Sequence, residues 1–298
     1  MGAGATPQGS DVAGQGPVDG SGIWARIEAA HAEFKPQAST SSTNYDAATW
    51  RLQAGVDALL HENETGVLTG GGAFHYGTVS SRVSSHFGDG AIDAAGYGLS
   101  GALTWYGNRG FYVDAQAQAT WYRSDLTSWT LANKLVDGNK GFGYALSLES
   151  GQRVPLTGQW SLTPQVQLAY SSISFDTFTD PYGASVSLAD ADRLVGRFGI
   201  STDYENQWAD KAGQVSRTHI YGIANLYYDF LDGSKTDVSG VRLISENQAL
   251  WGGLGVGGSL SWADGRYAIN GEVFANASLR DFGDSNAFGA NIGLSVKW

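Results

Sequence analysis

The sequence predicts an all-β chain closed into an antiparallel transmembrane β-barrel of about twelve strands, a single domain behind a short flexible N-terminal linker. Three observations predict it. Apolar and polar residues alternate with a period of two over a series of long runs. The connections between those runs alternate in length. The composition joins 42 Gly, 10 Trp, 14 Tyr and 12 Phe to a mean hydropathy of only -0.20. That balance fits strands with one face toward lipid and the other toward a wet interior.

Residues 1–21 carry Gly throughout, with Pro7 and Pro17, and read as a flexible linker. The first strand is placed at 22–34. The next, 47–60, sets Trp50, Leu52, Ala54, Val56 and Ala58 against Arg51, Gln53, Gly55 and Asp57. Strands at 67–80 and 93–106 follow. The clearest run lies in 111–126. There Phe111, Val113, Ala115, Ala117, Ala119 and Trp121 oppose Tyr112, Asp114, Gln116, Gln118, Thr120 and Tyr122. Further strands are placed at 141–154, 160–175, 192–207, 216–230, 249–262 and 266–279. The last, 286–298, alternates Phe288, Ala290, Ile292, Leu294, Val296 and Trp298 with Gly289, Asn291, Gly293, Ser295 and Lys297.

Short connections are expected at 61–66, 107–110, 155–159 and 263–265, with 207–215 a longer member of that set. Long ones are expected at 35–46, 81–92, 127–140, 176–191 and 231–248. Outer-membrane barrels show this asymmetry, with turns inside and loops outside. The runs exceed the 5–6 residues of an ordinary soluble strand. Closure would also remove the unpaired edges so much strand would otherwise expose. Trp50, Trp105, Phe111, Trp121, Tyr170, Tyr228, Trp262, Tyr267 and Trp298 fall at strand ends on the apolar face, as in an interfacial aromatic belt.

A net charge of -11 argues against nucleic acid as a partner. With no Cys, disulfides and thiolate metal sites are excluded. No stretch approaches the roughly 18 apolar residues of a membrane helix. The first twenty residues lack the basic and apolar regions of a signal peptide, so, if the protein is exported, a fragment or a recombinant form of it is expected.

Candidate chemistry is sparse. The five His residues show no HExxH spacing, and no metal or other cofactor is expected. Gly253, Gly255 and Gly258 spell GxGxxG, but inside an alternating strand rather than at a strand-to-helix turn, so no dinucleotide site is expected. Polar positions assigned to the lumen are Arg26, Glu28, Arg51, Asp57, Asp114, Gln116, Glu149, Arg153, Arg197, Asp203, Glu205, Asp229, Glu272 and Lys297. Mixed charge of this kind can form ion-pair networks that hold the wall and contact a passing polypeptide. No catalytic residue is assigned. His75 and His219 share the lumen face, and His86 beside Asp89 is the one hint of a hydrolytic site at the rim.

The runs TWRLQAGVDALL, YGLSGALTWYGNRGFYVDAQAQATWYRSDL, GFGYALSLESGQR, WSLTPQVQLAYSS, YGIANLYYDFLDG and the terminal ANIGLSVKW resemble the autotransporter β-domain, closest to its pertactin and AIDA-like group, from about Gly22 to Trp298. The resemblance implies a monomeric barrel in the outer membrane of a Gram-negative bacterium, anchored in lipid. It implies type V secretion, in which the chain's own N-terminal passenger reaches the cell surface with the barrel-assembly machinery. Residues 1–21 would then be the remnant of the passenger junction. Phe288, Leu294, Val296 and Trp298 look like the signal that the machinery reads. No linker helix that would thread the pore is evident, and no scissile linker is visible. A porin-like or adhesive barrel without a passenger stands as the alternative, and an outer-membrane hydrolase behind it.

Overall fold

The computed structural model describes residues 21–231 and 233–298; the expected linker, 1–21, lies outside these except for Ser21. Eighteen strands follow in chain order. They are β1 (Gly22–Phe34), β2 (Ala38–Ser39), β3 (Asn44–Asn63), β4 (Gly66–Ser85), β5 (Gly88–Gly107), β6 (Phe111–Ser128), β7 (Asn133–Gln152), β8 (Val154–Pro155) and β9 (Trp160–Phe175). The second half holds β10 (Phe178–Thr179), β11 (Ser185–Asp190), β12 (Arg193–Ala209), β13 (Val215–Asp229), β14 (Ser234–Val238), β15 (Val241–Glu246), β16 (Leu250–Trp262), β17 (Tyr267–Ser278) and β18 (Asn286–Lys297). No α-helix occurs among the described residues.

Twelve long strands close a ring in the order β1, β3, β4, β5, β6, β7, β9, β12, β13, β16, β17, β18, each antiparallel to its neighbours. β8 continues the β7 wall alongside β9. The ring is sealed where β1 meets β18, from Gly22 opposite Lys297 to Glu33 opposite Asn286. The Trp298 N–H donates to the Ser21 carbonyl and extends the seam by one step. Every long strand of the wall is therefore paired on both sides, leaving no open edge toward lipid.

The two-residue rhythm sets the two surfaces. Leu52, Val56, Phe74, Leu99, Leu103, Leu146, Leu148, Leu168, Leu254 and Leu294 are all exposed on the outer wall. A soluble protein would not present so large an apolar patch. Two aromatic girdles frame it. At the end with the short turns, Trp105 meets Phe111, Trp160 meets Tyr204, and Trp262 stacks on Tyr267. At the other end, Tyr97 and Trp121 stack, Trp121 meets Phe142, and Tyr144 meets Tyr170. Phe111 and Trp121 lie ten residues apart on one strand, as do Trp160 and Tyr170. Ten residues span about 33 Å along a strand, or about 25 Å along the normal at a tilt of about 40°, the height of an outer-membrane apolar band.

Two of the expected long loops are largely strand. β4 runs to Ser85 and β5 starts at Gly88, so the 81–92 region is a hairpin turning at His86 and Phe87. β6 likewise runs to Ser128, and β7 starts at Asn133 within the expected 127–140 loop. Beyond the girdle neither face of the wall meets lipid. The apolar alternation therefore stops while the hydrogen-bonded ladder continues.

Three other long connections form a second sheet. β10, β11, β14, β15 and β2 pair in that order, drawn from the segments after β9, β13 and β1. Its tightest hairpin turns at Ser239 and Gly240, with φ of 51° and 87°. Positive φ at both central residues is the type I′ geometry that matches strand twist.

Candidate functional site: the barrel lumen

The inward face of the ring carries the polar half of each strand, and Asp114, Glu149, Arg197, Asp203, His75 and His219 are buried on it and hydrogen-bonded. The largest network centres on Arg197 of β12. Its Nη2 donates to Glu149 Oε2 at 2.6 Å and to Gln165 Oε1 at 3.1 Å. Nε donates to Gln167 Oε1 at 3.0 Å, and Nη1 to Asn225 Oδ1 at 2.9 Å. The other oxygen of Glu149 accepts from the Tyr112 hydroxyl at 2.6 Å. The Arg197 and Glu149 side chains are 0% and 1% exposed. Five consecutive wall strands are thus tied through one guanidinium and one carboxylate. Tyr112 reaches Glu149 because Gly151 lies beneath its ring; a Cβ there would sit 2.5 Å from the ring.

A second network centres on Asp203 of β12. His219 Nε2 lies 3.0 Å from Oδ1, and Ser201 and Thr163 donate to Oδ2 at 2.8 and 3.1 Å. His219 stacks on Tyr221, whose hydroxyl donates to Glu272. A third joins β1 to β3. Arg26 and Arg51 both donate to Gln53 Oε1, at 2.5 and 3.0 Å, and Arg51 lies 3.9 Å from Glu28. On β6, Asp114 accepts from Thr104 at 2.7 Å and from Gln116 at 2.8 Å. Arg153 pairs with Glu205 at 2.8 Å toward the short-turn rim, and Arg193 with Asp229 at 2.8 Å toward the other.

Two cavities line the path through the interior. One of about 690 Å³ lies toward the long connections and is lined by Glu28, Arg51, His75, Tyr122 and Arg193, among others. One of about 220 Å³ lies toward the short turns and is lined by Gly22, Trp24, Arg26, Asp57, Gln116 and Lys297, among others. Arg51 and Gln118 border both, so the two cavities adjoin near mid-wall.

The sequence-assigned lumen residues thus fall into a few clusters rather than one site. Sequence reasoning did not single out Gln53, Thr163, Gln165, Gln167, Ser201 or Asn225. Gln165 and Gln167 alternate with Val166 and Leu168, a signal that places them inside but does not name their partner. Ser201 Oγ and His219 Nε2 both bond to the Asp203 carboxylate instead of each other, so His219 does not face the hydroxyl as a Ser–His pair would. His86 and Asp89 lie at the tip of the β4–β5 hairpin, with no ion pair between them among the described residues. The same residues hold no group of three His, Cys, Asp or Glu arranged for a metal. The GxGxxG run lies wholly within β16.

Residues 23–294 match the autotransporter β-domain family. The chain belongs to that family. It is an outer-membrane translocator barrel of a Gram-negative bacterium. The chain is 50% identical over 292 residues to the adhesin BmaC autotransporter of Brucella suis biovar 1 (strain 1330). That match covers 98% of this chain and 8% of the adhesin. This β-domain therefore spans a small fraction of that relative's length. The transport unit of the autotransporter AIDA-I from Escherichia coli has the same fold, with a TM-score of 0.76 at 18% identity over 93% of this chain and 90% of that one. The β domain of the Bordetella autotransporter BrkA follows, with a TM-score of 0.70 at 18% identity, covering 94% and 100%.

Proposed function

We propose that this β-domain carries an N-terminal passenger polypeptide through its lumen to the cell surface and then anchors it there, without catalysis. One observation carries the proposal. β1 starts at Gly22, at the short-turn end of the wall and on the lining of the inner cavity. The short turns mark the periplasmic end. A polypeptide joined ahead of Ser21 would reach the outside only by passing the inner cavity, the Arg51 level and the outer cavity. The paired charges along that path offer a polar surface without a free strand edge to trap an extended chain. Residues 1–21 act as the passenger junction.

The lipid-facing side chains Phe288, Leu294, Val296 and Trp298 serve as the element read by the barrel-assembly machinery, and the ring acts as a monomer in lipid. Arg26, Glu28, Arg51, Asp57 and Gln116 face the passing chain. Glu149, Arg197, Asp203 and Glu272 hold the wall.

The test is a reporter passenger fused ahead of Ser21 behind a signal peptide. Protease shaving of intact cells should remove the reporter while the barrel keeps its heat-modifiable mobility. A folded barrel with a protected reporter would overturn the proposal and leave a porin-like role.

A further inference from the structure

We infer that the inner face of β4 to β7, where these strands rise past the outer girdle, is a docking face for the chain's own passenger as it leaves the lumen. The segment it fits is extended and apolar on one side. The inference rests on the transport proposal and names the contact that follows passage.

From Tyr97 in the girdle to Asp89 near the tip, β5 runs eight residues. That is about 26 Å along the strand, or about 20 Å along the normal at a tilt of about 40°. The outward apolar series ends at the girdle. Beyond it the outward positions are polar, with Ser80, Arg82 and Ser84 on β4, Asp93 on β5 and Asp125 on β6. The inward positions of the same strands are apolar. Val79 and Val83 on β4, Ile92 and Ala94 on β5 and Leu126 on β6 share that side, and Val136 on β7 lies opposite Leu126. Apolar side chains have thus changed faces, which lipid does not explain, because it ends at the girdle.

Val79, Val83, Ile92, Leu126 and Val136 are each only half-buried. On the opposite arc of the ring the apolar side chains are closed over: Phe34 packs on Tyr45 and Trp251, and Val195, Tyr227 and Ala287 are buried. The half-buried strip continues to two hairpin tips, where Phe87, Trp129 and Leu131 are 81%, 51% and 54% exposed. The tips are joined, because the Trp129 N–H donates to the Asp89 carbonyl at 2.9 Å and the Asp89 N–H to Thr130 Oγ1 at 2.8 Å. A contiguous apolar surface on a solvated lobe marks a contact surface, unlike apolar residues scattered singly.

The strip's position selects its occupant. It begins inside the passage, since Val79, Ala94 and Tyr122 line the outer cavity. It lies on the inward side, so a chain leaving that cavity meets it before anything arriving from outside. Its rows beyond the cavity carry no charged side chain on β4, β5 or β6. Sheet faces pack about 10 Å apart through alternating side chains, so an extended segment with apolar residues at every second position fits. A passenger joined ahead of Ser21 is held near the strip at a roughly millimolar effective concentration, where a weak contact suffices.

Photocrosslinking on intact cells that make the full-length chain with its own passenger tests the inference. A benzophenone side chain is placed at Val83 or Ile92 on the inner face, and at Arg82 or Asp93 on the outer face as controls. Mass spectrometry of the joined peptides should find passenger segments, apolar at alternate positions, from the inner probes and none from the outer ones. Ile92→Ser should cut the yield from the Val83 probe about tenfold, equivalent to losing about 1.4 kcal/mol of apolar burial. Leu126→Ala is the milder variant if Ile92→Ser loses heat-modifiable mobility, and Ser80→Ala on the outer face should change nothing. Equal joining from both faces, no joining from an exported passenger, or joining only to the outer sheet or to a second copy would overturn the inference. Protease shaving of the same cells separates the two readings. An exported passenger without inner-face joining defeats this inference alone. A passenger that stays inside defeats the translocator proposal and removes the occupant with it.

Discussion

Removing the Arg197 guanidinium is the sharpest test of how the wall is held. Arg197→Ala deletes four hydrogen bonds made by a charged group, each worth about 1.5–3 kcal/mol. Their sum overstates the cost, because water enters the vacated space and partly replaces the lost partners. The controlling quantity is Glu149, left at 1% exposure without its guanidinium. Breaking a buried pair from one side costs about 3–5 kcal/mol. Glu149→Gln keeps an acceptor for Arg197 and removes the negative charge, so it strands the cation instead. Together the two substitutions remove both charges, and their combined cost should fall short of the sum by about 0.5–3 kcal/mol. Urea titration in lipid vesicles, followed by tryptophan fluorescence, measures each corner of the cycle. Heat-modifiable mobility confirms that each variant starts folded. A cost below about 1 kcal/mol for Arg197→Ala, or single costs that simply add, would refute the claim that this pair ties the five strands.

Three further outcomes are expected. Leu254→Arg places a charge on the lipid side of β16, where Leu254 is 68% exposed, and should cost about 2–4 kcal/mol near the midplane; unchanged urea stability in vesicles would mean the face is misassigned. Gly257→Val would put a Cβ 2.5 Å from the Tyr221 hydroxyl and push that ring off Glu272, costing about 1–3 kcal/mol in the same titration. Deleting Trp298 removes an exposed girdle residue and the N–H that extends the β1–β18 seam. Membrane insertion in cells should drop, and a normal yield of heat-modifiable barrel would count against the terminal signal.

The wall was legible because lipid imposes a rule on every second residue. Where the rule applies, as from Phe111 to Trp121 or from Phe288 to Trp298, the alternation gave strand and face together. It failed where the environment stops distinguishing the two faces. The hairpin at Ser85–Gly88 and the start of β7 at Asn133 lie above the girdle, beyond the stretch where lipid separates the two faces. The outer sheet is a partial exception. Lys235-Thr236-Asp237-Val238-Ser239-Gly240-Val241-Arg242 holds a Ser-Gly turn between short runs, a hairpin signal that the surrounding loop composition concealed. Lumen partners were hidden for a different reason. Period two says that Arg197, Gln167 and Glu149 point inward, but their meeting depends on the stagger between β7, β9 and β12. That stagger is set by turn geometry and by contacts all around the ring.

The seam between β1 and β18 links the fold to the transport proposal. Every other pair of neighbouring long strands follows in chain order around the ring, so their ladders close over short distances or over a loop. The seam instead joins residues more than 250 positions apart, such as Glu33 and Asn286. Loop-closure entropy weighs most heavily on that pairing and sets it last among the wall contacts. Until it forms, β1 and β18 are open edges, and their unpaired N–H and C=O groups must be satisfied by something other than lipid. Ser21 and Gly22 lie at this same edge, and Gly22 lines the inner cavity. Closing the barrel and fixing the route into its lumen are consequently one event at one seam. A terminal strand that pairs poorly would damage assembly and export together.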